Sequence, residues 1–320
     1  MWKLKLFREF ILHFRKIDFP RRLLAMSYLL LAICYPGQNA LQRLVIHPGT
    51  VRTYLLPHSS PVFYPQSDGT KVPPVSARAV IVQDVVSHTL MYTKSPDTLL
   101  LPASTTKIMT ALVALSTWPD LATVITVKNE DRAIGQTIEL QKGEQLTLKN
   151  MLNGLLVHSG NDAALAIADN FPGGYNSFVQ AMNEQAKSLH LDHTVFKNPS
   201  GVEQYGHVTT ARDLAILAGV AMENSLIRDI VSTRSLTITD TSGEITHHLV
   251  TTNELLGVLP GLKGLKTGWT ENAGECLVSY VEREGHPLIV VVLGSLDRFG
   301  DTTALVNWAY AHHNWITPKL

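Results

Sequence analysis

Residues 102–115 read PASTTKIMTALVAL, and the fold turns on this stretch. Apolar residues at Ile108, Ala111, Leu112 and Leu115 recur with the spacing of one helical face. Continued back one turn, that stripe passes through Ser104 and Lys107. Lys107 stands there against two local preferences. A capping box places Glu or Gln at its position, and the helix dipole disfavours a cation in the first turn. Burial and the positive helix end both favour the uncharged amine. Three residues apart on a helix, the two side chains are neighbours. A neutral lysine so placed can take the serine's proton, so Ser104 is read as a nucleophile and Lys107 as its base. S-x-x-K alone arises by chance about once in a chain of this length. The weight therefore rests on what surrounds it.

Upstream, AVIVQDV (79–85) and HTLMYT (88–93) alternate as strands around a turn, which predicts a hairpin. Downstream, ATVITV (122–127) and QTIEL (136–140) read as short strands. Four helical patterns follow at 146–160, 161–171, 175–191 and 210–224, the last opened by Thr210 with Asp213 in its first turn. SLTITD (235–240) and THHLVTTN (246–253) form another strand pair. ECLVSYVERE (275–284) and PLIVVVLGS (287–295) are strands joined near Gly285, and a helix over 301–313 closes the pattern. Strands joined by short turns imply an antiparallel sheet. The expected fold class is α+β: an antiparallel sheet flanked by helices, with an inserted helical subdomain.

Two more short motifs lie along this frame. Ser159-Gly160-Asn161 falls in the break between two helices, and Lys266-Thr267-Gly268 leads into the late strands. Each alone reads as an ordinary turn. In this order, S-x-x-K, S-x-N and K-T-G are the signature of penicillin-binding proteins and serine β-lactamases.

The flanking residues narrow the resemblance. PASTTKIMTALVAL, LLVHSGNDAALAIAD, FKNPSGVEQYGHVTTARDLAILA, TTNELLG and GLKTGWTENAGECLVS resemble the D-alanyl-D-alanine carboxypeptidases of peptidase family S11, over residues 76–316. The resemblance implies that Ser104 forms an acyl-enzyme with a peptidoglycan stem peptide, with Lys107 as base. It implies that Ser159 relays a proton to the leaving D-alanine and that Asn161 binds the substrate backbone and places Lys107. Lys266 and Thr267 would hold the terminal carboxylate, and Gly268 would admit substrate along the strand edge. The backbone N–H groups of Ser104 and Trp269 would form the oxyanion hole. Trp269 would either narrow the accepted peptide or simply pack. β-Lactams are expected as acylating inhibitors, and neither metal nor organic cofactor is implied.

Within the family, the same residues serve a carboxypeptidase, a DD-endopeptidase acting on cross-links or a transpeptidase, so those alternatives stay open, as does the third stem residue. A β-lactamase fits less well, because S-G-N replaces the S-D-N of class A and no deacylating glutamate has a matching context. No G-x-S-x-G and no H-E-x-x-H occurs. A non-catalytic wall-binding protein would have no need of Ser104 and Lys107 together.

Composition fits an ordinary globular protein, 45% hydrophobic and 17% charged. Equal numbers of basic and acidic side chains, 27 of each, argue against a broad nucleic-acid binder. Cys34 and Cys276 cannot build a disulfide framework, and Cys276 reads as a small apolar strand residue. Residues 1–22 carry seven Lys or Arg against two acids, followed by LLAMSYLLLAICY, 23–35. That pattern is a basic n-region and an apolar core, too short for an ordinary spanning helix. Residues 1–36 are therefore read as a signal peptide or N-terminal membrane anchor, with the body exported. Residues 37–75, rich in scattered prolines, read as an extended linker, and 76–320 as the catalytic domain. With Leu320 soon after the last helix, the second β-rich domain and C-terminal anchor of many family members are not expected in this sequence.

Overall fold

The computed structural model describes residues 62–128 and 133–317. The most apolar run, within strand β10 (His286–Ser295), forms the middle of a five-stranded antiparallel sheet. Its neighbours are β2 (Ala79–Asp84), which carries the edge strand β3 (Leu90–Lys94), and β9 (Gly274–Arg283), which carries the other edge, β8 (Leu262–Thr270). Successive strand residues face opposite sides, and both sides here are covered. Ile289, Val291 and Leu293 join one core with Ile81 and Val278. Val290 and Val292 join the other with Val80, Val82 and Leu277. A strand buried on both faces must be apolar throughout, which accounts for the unbroken LIVVVL.

Helix α7 (Arg298–Ala311) covers one face through Leu305, Val306 and Ala309. The helical block covers the other. It comprises α1 (Lys107–Thr117), α2 (Leu148–Leu156), α3 (Asn161–Asn170), α4 (Gly174–Ser188), α5 (Ala211–Glu223) and α6 (Ser225–Val231). Thr210 caps α5 as expected, its hydroxyl accepting from the Asp213 N–H at 3.1 Å. Two small ribbons flank the block: β4 (Val124–Thr126) with β5 (Gln145–Thr147), and β6 (Ser235–Thr239) with β7 (Thr246–Val250). The α+β class, the antiparallel sheet and the inserted helices agree with the sequence reading.

Several local readings change. QTIEL is not a strand: the Ile138 and Leu140 N–H groups donate to the Asp162 carboxylate, so a side chain takes the place of a sheet neighbour. The helix through Ser104 begins as a 3-10 turn, Ala103–Thr106, and only then becomes α1. Lys266-Thr267-Gly268 lies inside β8, not in a turn before it. Within the stretch read as a linker, β1 (Tyr64–Ser67) pairs antiparallel with β11 (His313–Ile316), and Val72 and Val75 pack on the core under α7. The folded body thus takes in residues well before 76. The apolar segment 23–35 and Cys34 lie outside the described residues. Among the described residues, no helix is long and apolar enough to cross a membrane.

Candidate active site

The edge strand β8 faces the 3-10 turn at Ser104, and glycines set how closely they meet. A Cβ on Gly268 would stand 3.1 Å from both the Ala103 Cβ and the Ser104 nitrogen. Behind the turn, Gly201 has φ +87° and any Cβ there would fall 1.8 Å from the Ala103 carbonyl oxygen. Ala103 itself has φ +48°, a conformation that costs free energy in a non-glycine residue. The turn is held by Pro102 O, which accepts from the Thr105 N–H and, at 2.6 Å, from its hydroxyl. His207, buried, holds Thr106 Oγ1 at 3.1 Å.

Lys107 is fully buried. Its Nζ lies 2.9 Å from Ser104 Oγ, 2.5 Å from Asn161 Oδ1 and 2.8 Å from Ser200 O. Burial first, and then the charge of Lys266, push its ammonium well below the usual lysine range, while Asp162 opposes them. An uncharged amine has two hydrogens and one lone pair. Ser200 O can only accept, as can the Asn161 oxygen, so both hydrogens go there. The lone pair is left facing the Ser104 hydroxyl, the geometry a general base requires. The other end of the Asn161 amide is fixed by a bond from Nδ2 to Ile134 O.

Ser159 sits at the α2–α3 break with φ +65° and lines the same cavity. Among the described residues its hydroxyl bonds neither Ser104 nor Lys107, so the structure brings it to the cleft without joining it to the pair. Thr267 Oγ1 is 2.6 Å from Thr252 Oγ1. Lys266 is buried beneath them, its Nζ donating to Thr267 O at 3.0 Å. Burial and the nearby Arg298 lower its pKa to about 7. Arg298 lines the cavity and donates from Nη1 to Gly268 O at 2.9 Å. The cavity has a volume of about 590 Å³ and includes Ser104, Asn161, Thr252, Thr267 and Trp269 in its wall. Trp269 is 62% exposed at its mouth, so the packing role open to it in the sequence is not the one it has.

Sequence reasoning missed Arg298, Thr252 and Asp162, and gave Glu203 no role. Arg298 opens α7, far along the chain from any motif, and only the sheet brings it beside Gly268. Thr252 and Glu203 fell within quoted stretches but carried no spacing signal. Among the described residues no group of His, Cys, Asp and Glu is arranged to hold a metal ion. His158, next to Ser159, bonds Gln136 and Val250 O.

Comparison with known proteins places this geometry. The peptidase S11 family model, described as D-alanyl-D-alanine carboxypeptidase, matches residues 66–296. A D-alanyl-D-alanine carboxypeptidase of Bacillus subtilis is 31% identical over 264 residues, 79% of this chain and 68% of that protein. A D-alanyl-D-alanine endopeptidase of Pseudomonas aeruginosa is 32% identical over 245 residues, 73% of this chain and 77% of that protein. The crystal structure of the Streptomyces K15 DD-transpeptidase superposes with a TM-score of 0.71 at 32% identity, covering 76% of this chain and 100% of that one. With the family model spanning the sheet, the helical block and all three motifs, the chain belongs to peptidase family S11, the D-alanyl-D-alanine carboxypeptidases.

Proposed function

We propose that this cleft removes the terminal D-alanine from peptidoglycan stem pentapeptides through an acyl-enzyme on Ser104. The observation that carries the assignment of roles is the buried Lys107 amine, 2.9 Å from Ser104 Oγ.

The steps follow from the positions. The free carboxylate of the substrate sits toward Thr267, Lys266 and Arg298, where two cations and a hydroxyl converge. Ser104 Oγ attacks the carbonyl of the penultimate D-alanine as its proton passes to Lys107 Nζ. Negative charge develops on the carbonyl oxygen beside the backbone N–H groups of Ser104 and Trp269, an oxyanion hole made by the close approach at Gly268. As the C–N bond breaks, the proton on Lys107 passes by way of the Ser159 hydroxyl to the leaving D-alanine nitrogen, so Ser159 keeps a proton and Lys107 is neutral again. Water then attacks the ester as Lys107 takes one of its protons, the C–Oγ bond breaks, and Lys107 returns that proton to Ser104 Oγ, freeing the shortened peptide. Penicillin follows the same first step and stalls as an ester on Ser104.

The Pseudomonas aeruginosa relative is named an endopeptidase. The same chemistry on a cross-link would release a larger amine in place of D-alanine. Residues 1–36 are proposed to export the protein, so that it acts outside the cytoplasm, with 23–35 as the segment that anchors it where it is not cleaved.

The test is intact mass after incubation with benzylpenicillin, followed by peptide mapping. One penicilloyl group on Ser104 is expected, absent in Ser104→Ala. A label on any other residue, or equal labelling of the variant, contradicts the assignment.

A further inference from the structure

Ser159 enters the cleft with φ +65°, a backbone conformation that costs free energy in a serine and persists only where its surroundings hold it. On one side the hold comes from Asn161. Its N–H donates to Gln136 O at 2.7 Å, and its Nδ2 bonds Ile134 O. On the other side stands His158, whose half-buried ring spans two segments. Nδ1 lies 3.0 Å from the carbonyl oxygen of Val250, the last residue of β7, and 3.3 Å from its nitrogen. The nearer group can only accept, so Nδ1 carries the hydrogen. Nε2 is then left to accept from the Gln136 side-chain amide at 2.7 Å.

Ile134 and Gln136 line the catalytic cavity, whereas the His158 ring lies behind that wall. The wall segment is therefore gripped twice, by Asn161 and by the His158 ring, with Ser159 between the two grips. Val250 supplies a further fixed point. Two residues on, Thr252 donates its N–H to Val157 O at 3.3 Å, and its hydroxyl meets Thr267 Oγ1. Backbone at 157 and ring at 158 are thus both bonded to the segment 250–252, directly before the strained serine. We propose that His158 is a positioning residue for Ser159, holding its hydroxyl where it passes the proton of Lys107 to the leaving nitrogen. This rests on the carboxypeptidase reading above and on the Ser159 relay within it.

The relay matters where the leaving group needs a proton. An amide nitrogen departs as an amine and must be protonated; an ester oxygen departs more readily without help. The test compares two substrates with the full-length protein: diacetyl-L-Lys-D-Ala-D-Ala and the depsipeptide in which D-lactate replaces the last residue. Both form the same acyl-enzyme, so deacylation is common to them and kcat/KM reads acylation. In His158→Ala, kcat/KM on the peptide is expected to fall about tenfold and on the ester by less than about twofold. His158→Asn keeps an N–H near the Nδ1 position for Val250 O and should hold the peptide loss to about threefold, with the ester unchanged. If His158→Ala melts too low to assay, the split in His158→Asn alone decides. Ser159→Ala sets the scale, losing peptide turnover far more than ester turnover. An equal fall on both substrates in the His158 variants, or no fall on either, overturns the positioning role. Equal losses in Ser159→Ala overturn the relay, and no D-alanine release by the wild type overturns the carboxypeptidase reading; each takes this inference with it.

Discussion

Lys107 and Lys266 are both buried cations by residue type, and their jobs require opposite protonation states. Lys107 must be neutral to accept a proton; Lys266 must be charged to hold a carboxylate. Burial lowers both: the charge of Lys266 adds to it at Lys107, which is pushed well below the usual range, and the charge of Arg298 adds to it at Lys266, which comes to about 7. The sign follows directly. Activity on a free-carboxylate peptide is lost at low pH as Lys107 gains a proton, and declines again as pH rises through about 7 and Lys266 loses one. A pH profile of kcat/KM should therefore be a bell, and Lys266→Ala should remove its alkaline fall while raising KM. An amidated C-terminus should suffer little from that substitution. An alkaline fall that persists in Lys266→Ala contradicts this account. Lys107 was legible in the sequence because it broke local helix rules on a core stripe. Arg298 was not, because its partner Gly268 is 30 positions away and its own neighbourhood, at the start of α7, looks ordinary.

At the scale of elements, the site is a seam between an edge strand and a short turn, and glycines set its width. Gly201 supports the turn from behind. Gly201→Ala puts a methyl group into the Ala103 carbonyl and forces a non-glycine residue to φ +87°. We expect a loss of roughly 2 kcal/mol or more in urea unfolding, with penicillin acylation slowed at least about tenfold because the turn carrying Ser104 must move. Wild-type acylation in a stably folded Gly201→Ala protein would show that the turn is not placed this way. Helices and long strands were readable from period and capping. QTIEL was not, because its alternation describes an extended chain but not what bonds it. Asp162, from α3, supplies the acceptor that a neighbouring strand would have given.

Across the whole molecule, the sheet binds distant segments into one body, and its outer layer reaches back to residue 64. Trp315 in β11 stacks on His286 and donates from Nε1 to Asp84 Oδ2 at 2.8 Å, so the β1–β11 ribbon ties both termini of the body to the sheet. A protein beginning at residue 76 loses β1 and exposes the edge of β11. It should melt several degrees below one beginning at residue 62, about 4 °C per lost kcal/mol or somewhat less for a body of this size. Equal melting temperatures would mean that β1 contributes nothing to the body. The proline-rich composition of 37–75 hid this pairing, since a four-residue edge strand leaves almost no periodic trace. The central claim concerns turnover, and one assay meets it: D-alanine released from a stem pentapeptide ending in D-Ala-D-Ala, by the full-length wild type and by Ser104→Ala. The account predicts catalytic release by the wild type and none by the variant. Release by both, or by neither while Ser104 still takes up penicillin, would contradict it.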